Sequence, residues 1–100
     1  MAIKKKTLGE RELEEFELVF KALAHASRRN ILVNIHSRGG RMIAGDVVKR
    51  FAYKWPTITR HLQQLEEAGL LTSIKDGREL IYEINTEKLK TVVNNWMKWF

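Results

Sequence analysis

Pro56-Thr57-Ile58-Thr59-Arg60-His61-Leu62-Gln63-Gln64-Leu65-Glu66-Glu67-Ala68-Gly69 spells one helix with two unlike faces. Ile58, Leu62 and Leu65 recur at three- and four-residue spacing, which predicts a buried stripe. Pro56 suits the first turn, where no backbone N–H is needed, and Gly69 suits the left-handed position that ends a helix. At about 100° per residue the stripe leaves Pro56, Thr57, Arg60, Gln63 and Gln64 outward, with Thr59 at the flank.

Immediately upstream, a short helix is predicted from about Ala44 to Phe51, with Val47, Val48 and Phe51 inward. Two short helices across a tight turn make a helix-turn-helix over residues 44–68. Downstream, Leu71–Lys75 and Glu79–Ile84 read as strands flanking Asp76-Gly77, a dipeptide that favours a type I′ hairpin turn. This hairpin, residues 71–84, is a wing.

Further out, Leu13, Phe16, Phe20 and Leu23 mark an amphipathic helix over 10–23. Ser27 is the expected N-cap of a second helix carrying Ile31, Leu32 and Ile35, stopped by Gly39-Gly40. Thr86 is the expected cap of a last helix, residues 86–100, striped by Leu89, Val92, Val93, Trp96 and Phe100. The expected fold is mainly α with a small β-hairpin: a winged helix-turn-helix of five helices and a two-stranded wing. It fills one domain over residues 1–100, of which residues 1–8 are expected to form a flexible basic tail.

Composition narrows the partner. The net charge of +6 suits a polyanion, and Val47 through Leu65 contains no acid while holding Lys49, Arg50, Lys54 and Arg60. Absence of cysteine removes disulfides, thiolate metal sites and cysteine nucleophiles. The basic start Lys4-Lys5-Lys6 is followed by Thr7-Leu8-Gly9-Glu10 rather than an apolar run, and no stretch approaches membrane-spanning length. A cytoplasmic protein is expected, with no membrane partner.

The order of these pieces resembles the ArsR family of bacterial and archaeal repressors. Phe20-Lys21-Ala22-Leu23-Ala24-His25-Ala26-Ser27-Arg28-Arg29-Asn30-Ile31-Leu32 is similar to its opening signature, usually worded Leu-Ala-Asp-Pro-Thr-Arg before a basic residue and an aliphatic pair. Pro56 to Leu62, then Leu65-Glu66-Glu67-Ala68-Gly69-Leu70-Leu71, resembles its recognition helix and the step into the wing. Asp76-Gly77-Arg78 with Tyr82-Glu83-Ile84-Asn85 resembles its wing hairpin. The likeness spans roughly residues 16–100. His25-Ala26 replaces the usual Asp-Pro, and Trp55 stands where the family often has a small polar residue or glutamine. Family metal sensors often carry cysteines on the third helix, or acids and histidines on the last. This chain has no cysteine, and its last helix has neither histidine nor aspartate, so it resembles the branch without those sites.

An α-helix fits the major groove, where each base pair presents its own donors and acceptors. The resemblance implies that Trp55, Pro56, Thr57, Thr59, Arg60, Gln63 and Gln64 meet DNA bases or backbone. Arg60 suits either guanine or phosphate, and Thr57 and Thr59 suit phosphate or a thymine methyl. Trp55 has two readings, a wedge against the DNA or cover for the core beside the turn, and packing is the simpler. Lys49, Arg50, Lys54 and Arg78, with Arg41 a weaker candidate, are expected on phosphates, which set affinity and register. In the resembled family the terminal helices form a dimer seam. Here it would take Leu13, Phe16, Phe20, Leu89, Val92, Val93, Trp96 and Phe100.

Other chemistry finds less support. His25, His36 and His61 do not show the spacing that puts two imidazoles on one helix face, and His61 beside the stripe reads as a packed histidine. No glycine-rich phosphate loop or nucleophile elbow is present, so no enzyme, metal or cofactor is expected. The expected function is a homodimeric repressor on an inverted-repeat operator in double-stranded DNA, with any small-molecule effector unknown. The alternatives are a winged-helix protein-interaction module and a metal- or ligand-gated sensor with atypical ligands.

Overall fold

The apolar stripes wind into helices and the runs flanking Gly77 pair as strands. Their order is α1 (Glu10–Leu23), α2 (Ala26–Ser37), β1 (Arg41–Ile43), α3 (Ala44–Arg50), α4 (Trp55–Glu67), β2 (Leu71–Asp76), β3 (Glu79–Ile84) and α5 (Thr86–Met97). The computed structural model describes residues 9–51 and 54–100. The expected basic tail at 1–8 lies outside the described residues, as do Ala52 and Tyr53.

The glycine stops work as the sequence suggests. Gly39 and Gly69 have φ of +92° and +77°. Behind each, two backbone bonds close the helix: Gly39 N–H to His36 O and Gly40 N–H to Ile35 O, then Gly69 N–H to Glu66 O and Leu70 N–H to Leu65 O. Both pairs form the Schellman pattern, which satisfies carbonyls that the helix end would otherwise strand. The second stop delivers the chain from α4 directly into the wing.

The wing differs from expectation in two ways. The two-stranded hairpin of β2 and β3 is joined by a further strand, since β1 pairs antiparallel with β3 and gives a sheet of order β1-β3-β2. Three residues are too few to show alternation in sequence, yet buried Met42 sits opposite buried Tyr82. The hairpin turn is also shifted by one residue. Asp76 pairs with Glu79, so Gly77 and Arg78 are central, and only Gly77 has positive φ (+64°). A type I′ turn needs positive φ at both, so the geometry fits type II′, which requires glycine at the first central position.

Two caps move as well. Because only Ala24 and His25 link α1 to α2, the second helix starts at Ala26 with His25 as its N-cap, and Ser27 lies inside it. Asn85, not Thr86, caps α5, its side-chain oxygen accepting from the Lys88 N–H at 3.0 Å.

The core joins Phe16, Val19 and Ala22 of α1 to Ile31, Leu32 and Ile35 of α2 and to Ile58, Leu62 and Leu65 of α4. Val47, Leu70, Leu71, Tyr82 and Val92 close it. The α1 stripe is therefore rotated from expectation: Leu13 is half exposed, and Phe20 packs edge-on against Trp96 of α5, centroids 5.2 Å apart. Lys88 ties the same two helices through Glu15 at 3.1 Å.

Candidate nucleic-acid interface

Burial of Ile58, Leu62 and Leu65 fixes which side of α4 meets solvent. Pro56, Thr57, Thr59, Arg60 and Gln63 are exposed on it, and Lys54 is exposed just before its first turn. No acidic residue lies in that turn, so the positive end of the helix dipole is not offset there. Trp55 keeps 55 % of its surface exposed, so covering the core does not account for most of the indole. Gln64 departs from the outward face. It is half-buried, and its Oε1 is buried without a hydrogen-bond partner among the described residues.

Lys49 and Arg50 end α3 in solvent, and the Arg50 guanidinium lies 6.0 Å from the Phe51 ring centre. Arg78 projects from the wing turn. Arg41 is exposed but engaged, its Nε donating to Glu83 Oε2 at 3.0 Å across the β1–β3 register. A phosphate would have to compete with that carboxylate.

Behind the exposed face lies a contact that the sequence did not disclose. Arg28 on α2 is 6 % exposed, and its guanidinium spans three elements. Nε donates to the Ala22 carbonyl at 2.7 Å, Nη2 to the Lys21 carbonyl at 3.1 Å, and Nη1 meets His61 Nδ1 of α4 at 3.2 Å. The His25 ring stands 5.3 Å from the His61 ring. Burial, with Arg28, His25 and Arg60 acting after it, holds the His61 pKa below the ordinary 6.5. At neutral pH the imidazole is therefore neutral, and its Nδ1 lone pair can accept from Arg28. A cavity of about 450 Å³ opens between this cluster and the exposed face, lined by His25, Arg28, Pro56, Thr57, Arg60, His61 and Gln64. The only sequence signal was the placement of His61 beside the stripe. Its partner is 33 residues away.

The terminal helices carry a second surface. Leu13, Trp96, Met97, Trp99 and Phe100 are exposed, Phe100 at 93 %. Phe16, Phe20, Trp96 and Phe100 form a relay of rings with successive centroids 6.2, 5.2 and 5.1 Å apart. Phe16 and Val92 belong to the protomer's own core, while Phe20, Leu89 and Val93 are half-buried. Among the described residues no group of three His, Asp or Glu side chains is placed to hold a metal ion.

A family model described as a helix-turn-helix domain matches residues 23–74. The transcriptional repressor SdpR of Bacillus subtilis is 37% identical over 79 residues, covering 79% of this chain and 84% of that protein. The arsenic resistance transcriptional regulator ArsR1 of Pseudomonas putida is 31% identical, covering 89% of this chain and 74% of its own length. The chain belongs to the ArsR family of winged helix-turn-helix transcriptional repressors. An ArsR-like transcriptional regulator from Rhodococcus, 27% identical, superimposes with a TM-score of 0.75, covering 86% of this chain and 79% of that one. In this ArsR-family chain α3 and α4 form the helix-turn-helix, and β2 and β3 form the wing.

Proposed function

We propose that the protein is a homodimeric repressor that sets two copies of α4 in successive major grooves of an inverted-repeat operator. The observation that carries this is the exposed, acid-free face of Pro56, Thr57, Thr59, Arg60 and Gln63 on a helix held by Ile58, Leu62 and Leu65. Thr59 and Arg60 take the central contacts, to bases or to the backbone beside them. Trp55 is exposed at the helix start, where an indole can lie against sugar or a thymine methyl. Lys49, Arg50, Lys54 and Arg78 take phosphates, which give affinity and register rather than sequence.

The exposed apolar residues of α1 and the chain end supply the seam: Leu13, Trp96, Met97, Trp99 and Phe100 are too much apolar surface to leave in water. A two-fold dimer spaces its recognition helices by one turn of DNA, about 34–36 Å. Occupation of a promoter by this dimer, in the cytoplasm where the DNA is, represses transcription without chemistry on a substrate.

The test is selection from random duplexes followed by titration against salt. An inverted repeat with steep salt dependence is the expected result. Weak affinity equal for all sequences, or a monomer at micromolar concentration, overturns the proposal.

A further inference from the structure

The apolar underside of α4 keeps the helix against the core, but apolar contact is non-directional and tolerates small rotations. Hydrogen bonds constrain angle, and the described bonds linking the buried side of α4 to the rest of the protomer include that of Arg28 with His61. The same guanidinium is anchored at its other end on two carbonyls of the last turn of α1. One side chain thus locks α4 against α1 and α2 together. Base recognition is sensitive to such placement, because side chains must reach base edges within hydrogen-bond geometry.

The lock depends on an unprotonated Nδ1. Both Arg28 Nη1 and an imidazolium Nδ1–H are donors, so a proton there replaces a bond with two opposed donors and two adjacent cations. Among the described charges acting on His61, Arg28 and His25 come from α2 and its cap, and Arg60 from α4 itself. None is a carboxylate that would stabilise the imidazolium, and α1 reaches the cluster through backbone oxygens. The cavity behind the exposed face gives solvent a route to the cluster.

We propose that Arg28 and His61 are positioning residues for the recognition helix, and that a proton on His61 unlocks the helix and lowers operator affinity. This rests on the reading of α4 as the DNA-binding element. The lowered pKa of His61 keeps the lock closed at neutral pH and opens it only in acid.

The experiment is operator binding by fluorescence anisotropy, on the full chain, between about pH 7.5 and pH 4.5, a range carried below that of ordinary histidine because the His61 pKa is lowered. Circular dichroism at each pH confines the comparison to conditions where all proteins are folded. Wild-type affinity is expected to fall about tenfold relative to His61→Gln, whose amide oxygen can accept from Arg28 but takes no proton. At neutral pH, His61→Gln binds as wild type does, whereas Arg28→Lys, folded but unable to reach three acceptors, binds about tenfold more weakly. Parallel pH profiles for wild type and His61→Gln overturn the proposal, as does full affinity in Arg28→Lys. If no protein binds any selected duplex at neutral pH, the DNA-binding reading falls and this proposal falls with it.

Discussion

Arg60 and His61 are neighbours in sequence and opposites in environment, one exposed and one 7 % exposed. The exposed one should act on DNA alone. Arg60→Ala is expected to leave the melting temperature unchanged. It should cost about 1–3 kcal/mol of discrimination if the guanidinium grips guanine, and should weaken all duplexes alike if it grips phosphate. Titration of cognate and single-base variant duplexes separates the two, and unchanged affinity in a Thr59→Ala, Arg60→Ala double variant would sink both. The buried neighbour should act on stability. With its folded pKa held below 6.5, His61 is neutral in both states above that pH. Below it the unfolded chain takes up a proton that the folded chain resists, so stability falls as pH drops from about 6.5 toward the folded value. Urea titrations at several pH values should show this loss, reduced in His61→Gln. Gln64 makes the complementary case, since its buried Oε1 has no partner among the described residues. An unsatisfied buried acceptor costs about 1–3 kcal/mol, so Gln64→Leu should raise the melting temperature and leave operator affinity nearly intact. A large loss of affinity would restore Gln64 to the DNA face.

At the scale of elements, the helix ends show why some features could be read in advance and others not. Gly69 was legible because its role is local: φ of +77° is open to glycine and strained for other residues. Gly69→Ala should destabilise the protein by about 1–2 kcal/mol, mostly through that strain. The new Cβ would meet Lys88 Nζ at 3.0 Å, but a lysine tip can move. Thermal melts check this, and an unchanged midpoint would mean that the Schellman stop does not fix the α4-to-wing step. The caps were less legible because Ser27 is a better capping type than His25, which stands at the N-cap position without a side-chain cap bond, and Thr86 is nearly as competent as Asn85. Linker length and the Asn85 side chain decided those positions. Strand β1 left no periodic trace, as its pairing is set by Tyr82, far along the chain. The exposed face of α4 followed from its stripe, whereas the Arg28 lock behind it needs three-dimensional proximity that no spacing encodes.

The whole molecule poses a question of number. One α4 reads one half-site, and a second binding module on the same assembly typically multiplies avidity by 10²–10⁴. Dimerisation should therefore decide whether the protein finds an operator at all. Leu13 is 50 % exposed and Phe100 93 % exposed in the protomer. Charges placed there meet mostly water unless a second copy covers them. Leu13→Glu with Phe100→Glu should leave the helical circular dichroism unchanged, shift sedimentation from dimer to monomer, and lower affinity for the full inverted repeat far more than for an isolated half-site. The salt dependence should shrink in parallel, because a monomer neutralises about half as many phosphates and the log–log slope scales with that number. Replacing Trp96 would be a poorer probe, since its ring also packs on Phe20 and a loss of fold would mimic a loss of pairing. If the double variant stays dimeric, the seam lies elsewhere on the surface and the spacing of the two recognition helices must be derived anew. If it becomes monomeric yet binds the full repeat undiminished, each α4 acts independently and the operator need not be an inverted repeat.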